Sequence, residues 1–149
     1  MVAFKDKDMG WQQIELNIKQ LKGRRVKIGI MGNESVEGTS VVDYAIYNEF
    51  GTSRGIPARP FMATTADQNR VAVVKIAEVM IGNVIDRKYN VDTMLARLGA
   101  WYQAKVQMTI RNAKEWAVPN NPATIKAKGS SSPLIDTGRM VGSVRYEVE

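Results

Sequence analysis

An α+β domain is the fold class this sequence predicts: a small antiparallel sheet packed by two long helices, with extended loops or arms. Three observations carry that expectation. Apolar residues recur at helical spacing over 65–88 and again over 92–113. Residues 25–30 and 142–148 alternate like half-buried strands. Between these patterns lie stretches rich in Gly, Pro and Ser. With 149 residues, 44% of them hydrophobic and 24% charged, the chain is expected to fold as a single structural domain over 1–149. Flexible segments are expected near 31–40, 51–59 and 118–132.

The elements follow in order. Trp11, Ile14, Ile18 and Leu21 are spaced by three and four, so they predict one apolar helix face, with Gly23 placed as a C-terminal cap. Val26, Ile28 and Ile30 then fall on one side of a strand, and residues 32–40 read as a polar loop. A helix is predicted over 41–50, stopped by Gly51. The loop 51–59 holds two glycines and Pro57, and Pro60 suits the first turn of a helix because its missing N–H would be unpaired there.

In the long pattern at 65–88, Val74, Ala77, Ile81 and Val84 mark one stripe and Val73, Ile76 and Met80 another. So broad a band predicts burial on more than one side. Asp92 is placed to cap the next helix, whose apolar face is Leu95, Leu98, Tyr102, Val106 and Ile110. Residues 118–132 read as an arm with one helical turn after Pro122. Asp136 or Thr137 is placed to cap a short turn before the final strand. No internal repeat is visible.

Composition narrows the function. The chain has no cysteine, which excludes disulfides and thiolate metal sites, and no histidine, the commonest general base and zinc ligand. No enzyme activity and no cofactor are expected. The formal charge of +6 permits contact with nucleic acid or an acidic surface without requiring either. The first eight residues lack the apolar core of a signal peptide, and the greasiest stretch, 71–85, contains Lys75 and Glu78, so no membrane association is expected.

Several motifs need weighing. Asp136-Thr-Gly138 matches the short aspartic-protease signature, but Arg139 follows it and only eleven residues remain, too few for a protease lobe. Lys19, Lys22, Arg24, Arg25 and Lys27 form a basic cluster. Arg25 and Lys27 would be its phosphate contacts, against the plainer reading of cations near a helix C-terminus and on the solvent face of a strand. Tyr44, Tyr47 and Phe50 lie three apart, as a core or subunit-interface stripe, while Asp43 and Glu49 read as a solvated face. Arg59, held extended by the proline after it, suits a carboxylate on a partner or a local salt bridge to Glu49 or Asp67; both stay open. Phe61 is either an interface anchor beside Arg59 or a plug in the subunit's own core. No phosphate-binding loop or calcium loop is present.

The run Tyr44-Ala-Ile-Tyr-Asn-Glu-Phe-Gly-Thr52, followed by Ile56-Pro-Ala-Arg-Pro-Phe61, resembles the neck or tail-completion proteins of tailed bacteriophages. So does the ending, Leu134-Ile-Asp-Thr-Gly138 followed by Ser143-Val-Arg-Tyr-Glu-Val148. The likeness covers 41–65 and 118–148; residues 1–40 carry no matching motif. It implies a structural virion protein at the head–tail junction, made in the host cytoplasm. It also implies a homo-oligomeric ring of roughly six copies. The implied neighbours are head-completion or connector proteins and tail proteins, with phage DNA passing through the ring. On that reading Tyr44, Tyr47, Phe50, Arg59 and Phe61 are interface residues. A tail-terminator ring capping the tail tube, or a small basic nucleic-acid-binding protein, are the alternatives.

Overall fold

The computed structural model describes residues 10–32, 35–36 and 38–149. Residues 1–9, read above as lacking a signal-peptide core, and positions 33, 34 and 37 of the segment expected to be flexible lie outside the described residues. The described chain runs α1 (Trp11–Leu21), β1 (Val26–Ile30), β2 (Ser35–Val36), β3 (Thr39–Ser40), α2 (Val41–Phe50) and α3 (Phe61–Ile85). It continues with α4 (Val91–Arg111), α5 (Ala113–Trp116), α6 (Pro122–Lys128), α7 (Arg139–Gly142) and β4 (Val144–Val148).

The α+β class holds. β1 and β4 pair antiparallel, from Val26 opposite Val148 to Ile30 opposite Val144. This two-stranded sheet lies on α4. Helices α3 and α4 form an antiparallel pair, with the Thr65 and Thr109 hydroxyls 2.8 Å apart near one end and Val84 packed with Val91 at the other. One core gathers Val41, Phe61, Val106, Ile110, Leu134 and Val144 from α2, α3, α4, β4 and the chain before α7. A second, at the far end of the helix pair, holds Val84, Val91, Met94 and Leu95, with Leu21 and Val26 against it.

Gly99 shows how the sheet gets so close. A Cβ there would come within 2.3 Å of Cδ2 of Tyr146, so the helix surface is hollowed where the strand's ring lies on it.

Several expectations shift, each for a local reason. The polar loop at 32–40 contains a short hairpin, β2 paired with β3. Helix α3 begins at Phe61 rather than 65, directly after Pro60. Asn90, not Asp92, caps α4, its Oδ1 accepting from Thr93 N at 2.8 Å. Neither Asp136 nor Thr137 caps α7; both are exposed, and Gly138 at φ 78 leads into that turn without a side-chain cap.

The buried face of α1 is only in part the one its apolar spacing marks: Ile14 and Leu21 are half-buried. Trp11 and Ile18 are exposed, while Asn17 is buried and donates to the Val84 carbonyl at 3.3 Å. On α3, one face is buried at Phe61, Thr65, Asn69 and Val84, and Val71, Val74, Ile81 and Ile85 stay exposed on the subunit. Among the described residues no helix is long and apolar enough to cross a membrane.

Candidate docking surface around the α2–α3 hook

The most distinctive run in the sequence folds into a clasp between α2 and α3. Ser40 starts α2, its Oγ accepting from Val42 N at 3.2 Å. The helix stops at Gly51, whose φ of 73 and ψ of 178 turn the chain back on itself. A Cβ at Gly51 would come 2.9 Å from Ala58 N, so only glycine lets the two arms of the hook meet. The hook closes through Thr52 N to Ile56 O (2.9 Å) and Ile56 N to Thr52 Oγ1 (3.3 Å). The returning strand is then fixed to α2 by Arg59 N donating to Asn48 O at 2.6 Å.

Glu49 is not a solvated carboxylate. Its two oxygens accept from Met62 N at 2.9 Å and Ala63 N at 3.1 Å, the otherwise unpaired donors of the first turn of α3. A negative charge there also complements the helix dipole.

Arg59 is buried, with 5% of its surface exposed. It pairs with neither Glu49 nor Asp67. Nε donates to Val118 O at 2.7 Å, and Nη2 to Pro119 O at 3.3 Å and Asn120 Oδ1 at 3.1 Å. Nη1 donates to Asn48 Oδ1 at 3.4 Å. Burial pulls the guanidinium below its ordinary pKa, opposed by the neighbouring Tyr44. Burial likewise pushes the Tyr44 phenol up.

The second arm is therefore fastened where it leaves α5. Asn120 Nδ2 and Lys128 Nζ both donate to Ser132 O, at 3.1 and 3.0 Å, which folds 120–132 around α6. Helix α6 itself has a complete set of local signals: Asn121 caps it, Pro122 opens it and Gly129 closes it in the left-handed conformation.

These contacts revise the predicted interface. Phe61 is 1% exposed and sits in the core, and Arg59 is consumed by the clasp. Neither side chain projects from the surface as the predicted anchor; Arg59 reaches solvent only as part of a cleft wall. Tyr44 is half-buried against the core. Tyr47 and Phe50 are at the surface, at 41% and 76% exposure, and Ile46 joins them at 47%. Beside Phe50 lies an apolar groove of ≈ 250 Å³ lined by Ile30, Val42, Ile46, Phe50, Phe61 and Met62. Ile46 was missed although it stands four residues before Phe50, the spacing that puts both on one helix face.

The predicted phosphate contacts are engaged by a carboxylate. Glu149 accepts from Arg25 Nε at 2.8 Å and from Lys27 Nζ at 2.5 Å, and Arg24 lies 2.6 Å from Asp92. The hydrogen bond that Lys27 donates to Glu149 raises the pKa of Lys27, and that same bond, then the one from Arg25, lowers that of Glu149. A phosphate would have to displace Glu149 to reach these cations. Among the described residues no group of three or more His, Cys, Asp or Glu side chains could hold a metal ion.

No protein-family model matches the chain, and no curated protein or solved structure shows significant similarity to it.

Proposed function

We propose that this protein is a structural virion subunit of a tailed phage that assembles as a homo-oligomeric neck or tail-completion ring at the head–tail junction. One observation supports the reading above the others. The residues that carry the family resemblance build a rigid clasp, and that clasp presents Ile46, Tyr47 and Phe50 on one exposed arc of α2 beside an apolar groove. Exposed aromatics on a well-braced helix are the kind of side chain that dominates interface energies. Pre-ordering of the backbone beneath them lowers the cost of docking. In this reading Asn48, Glu49 and Arg59 brace the subunit from within, and Ile46, Tyr47 and Phe50 face the neighbour.

The test is Phe50→Asp. The isolated subunit should melt within a degree or two of the unaltered protein, because Phe50 is mostly exposed. Ring formation by analytical ultracentrifugation and head–tail joining in infected cells should both be lost. Normal assembly of Phe50→Asp into infectious particles would sink the reading. Electron microscopy of particles carrying a tagged subunit should place the tag at the head–tail junction. A tag at the end of free tail tubes would make the protein a tail terminator instead.

A further inference from the structure

On the other side of α2 from Phe50 lies a cleft of ≈ 380 Å³, bounded by α2, residues 55–57, the chain after α5 and the start of α6. Its volume falls within the usual range for ligand clefts, about 300–1,000 Å³. Its chemistry is unbalanced. Arg59 and Lys128 both line it, and among the described residues no carboxylate lies within ion-pair distance of either. Four of the guanidinium's contacts go to carbonyl and amide oxygens, which use up Nε and Nη2 and leave one N–H of Nη1 unclaimed. Lys128 Nζ donates to Ser132 O and keeps two further N–H groups.

Carbonyls satisfy the geometry of a buried cation but not its charge. The cleft is thus rich in donors and short of negative charge.

We propose that this cleft is a carboxylate-binding site, taking an acidic side chain from an extended segment of a partner protein. The unclaimed N–H of Arg59 Nη1 and the two of Lys128 Nζ suit the two oxygens of one carboxylate. The walls fit as well. Ile56, Pro57 and Pro133 are apolar and two of them are prolines, a surface on which an extended peptide can lay a side-chain stem without ordering the protein. This site is separate from the Phe50 groove and does not depend on the ring reading.

The probe is a fluorescein-labelled hexaglutamate peptide, with hexaglutamine as its neutral counterpart, followed by anisotropy at low salt. Hexaglutamate should bind and hexaglutamine should not. Lys128→Gln should weaken binding about tenfold. Lys126→Gln removes the same charge from an exposed position on the same helix and should leave binding within about twofold. Thr124 is exposed at the cleft mouth, so Thr124→Glu should abolish binding with the fold intact, and it serves if Lys128→Gln fails to fold. Three results overturn the proposal: no hexaglutamate binding, equal weakening by Lys126→Gln and Lys128→Gln, or displacement by inorganic phosphate at lower concentration than by free glutamate.

Discussion

Arg59 and the Arg25–Lys27 pair invite comparison, because both are conspicuous cations in the sequence and the fold treats them in opposite ways. Arg59 is almost wholly buried and is held by carbonyl and amide oxygens from two separate stretches of chain, Asn48 and 118–120. Arg25, just before β1, and Lys27, on its exposed face, share one carboxylate, Glu149. The ion pairs look stronger on paper. Yet water and salt screen an exposed pair almost to nothing, while a buried guanidinium cannot be removed without stranding its acceptors. Burial, rather than formal charge pairing, decides which cation the fold depends on.

The largest break in that comparison should come from Arg59→Ala. It strips partners from Val118 O, Pro119 O, Asn120 Oδ1 and Asn48 Oδ1 together. We expect a loss of about 3 kcal/mol. In a chain of this size that lowers Tm by roughly 6–12 °C, read by calorimetry. A melt within a degree or two of the unaltered protein would erase the distinction between the two sites.

Glu49→Ala should fall in between. It removes the carboxylate that caps α3 and should cost about 1 kcal/mol by urea denaturation. Glu49→Gln keeps an acceptor without the charge, so a smaller loss there would separate the hydrogen bond from the dipole effect. If Glu49→Ala costs nothing, the clasp draws its rigidity from Arg59 alone.

The smallest effect belongs to Glu149→Gln, which should leave Tm at neutral pH and physiological salt unchanged within error. Its signature is in the pH dependence. The folded-state pKa of Glu149 is depressed below its ordinary 4.5 by the hydrogen bonds from Lys27 and Arg25. What it contributes is therefore present above that ordinary value and is lost as the pH falls through the depressed one. At low salt, where screening is weak, the unaltered protein should melt slightly above Glu149→Gln at neutral pH, and the two curves should converge in acid. A loss at pH 7 as large as that of Arg59→Ala would invert the comparison.

What could be read in the sequence was local. The bounds of helix α2 were legible because the polar loop before it and Gly51 after it adjoin it directly; the Ser40 cap came only with the structure. The two sheet strands were legible because alternation is a property of neighbouring residues. The partners of Arg59 were not, since they are mostly backbone carbonyls about sixty positions away, and a carbonyl has no letter in a sequence. Glu49 was misread for a similar reason: its acceptors' role appears only once the hook folds α3 back onto it. On α1, a polar residue, Asn17, takes the most buried place between Ile14 and Leu21 through its hydrogen bond to Val84 O, which apolar spacing does not show. The Phe50 surface was half legible, in the aromatic spacing of α2; the cleft behind it was not, because Arg59 and Lys128 meet only in three dimensions.

The pairing of β1 with β4 has a kinetic consequence. Val26 finds its partner in Val148, so the sheet closes a loop of roughly 120 residues, at an entropic cost on the order of 4 kcal/mol. Nothing local repays that before α3 and α4 have come together, because the strands rest on α4. The helical hairpin is thus the natural early structure and the sheet a late one. During synthesis β1 emerges first among the strands and waits for β4, its pairing edge open until then. The ring of Tyr146 seated on Gly99 then marks the closed sheet, since it arrives only with β4.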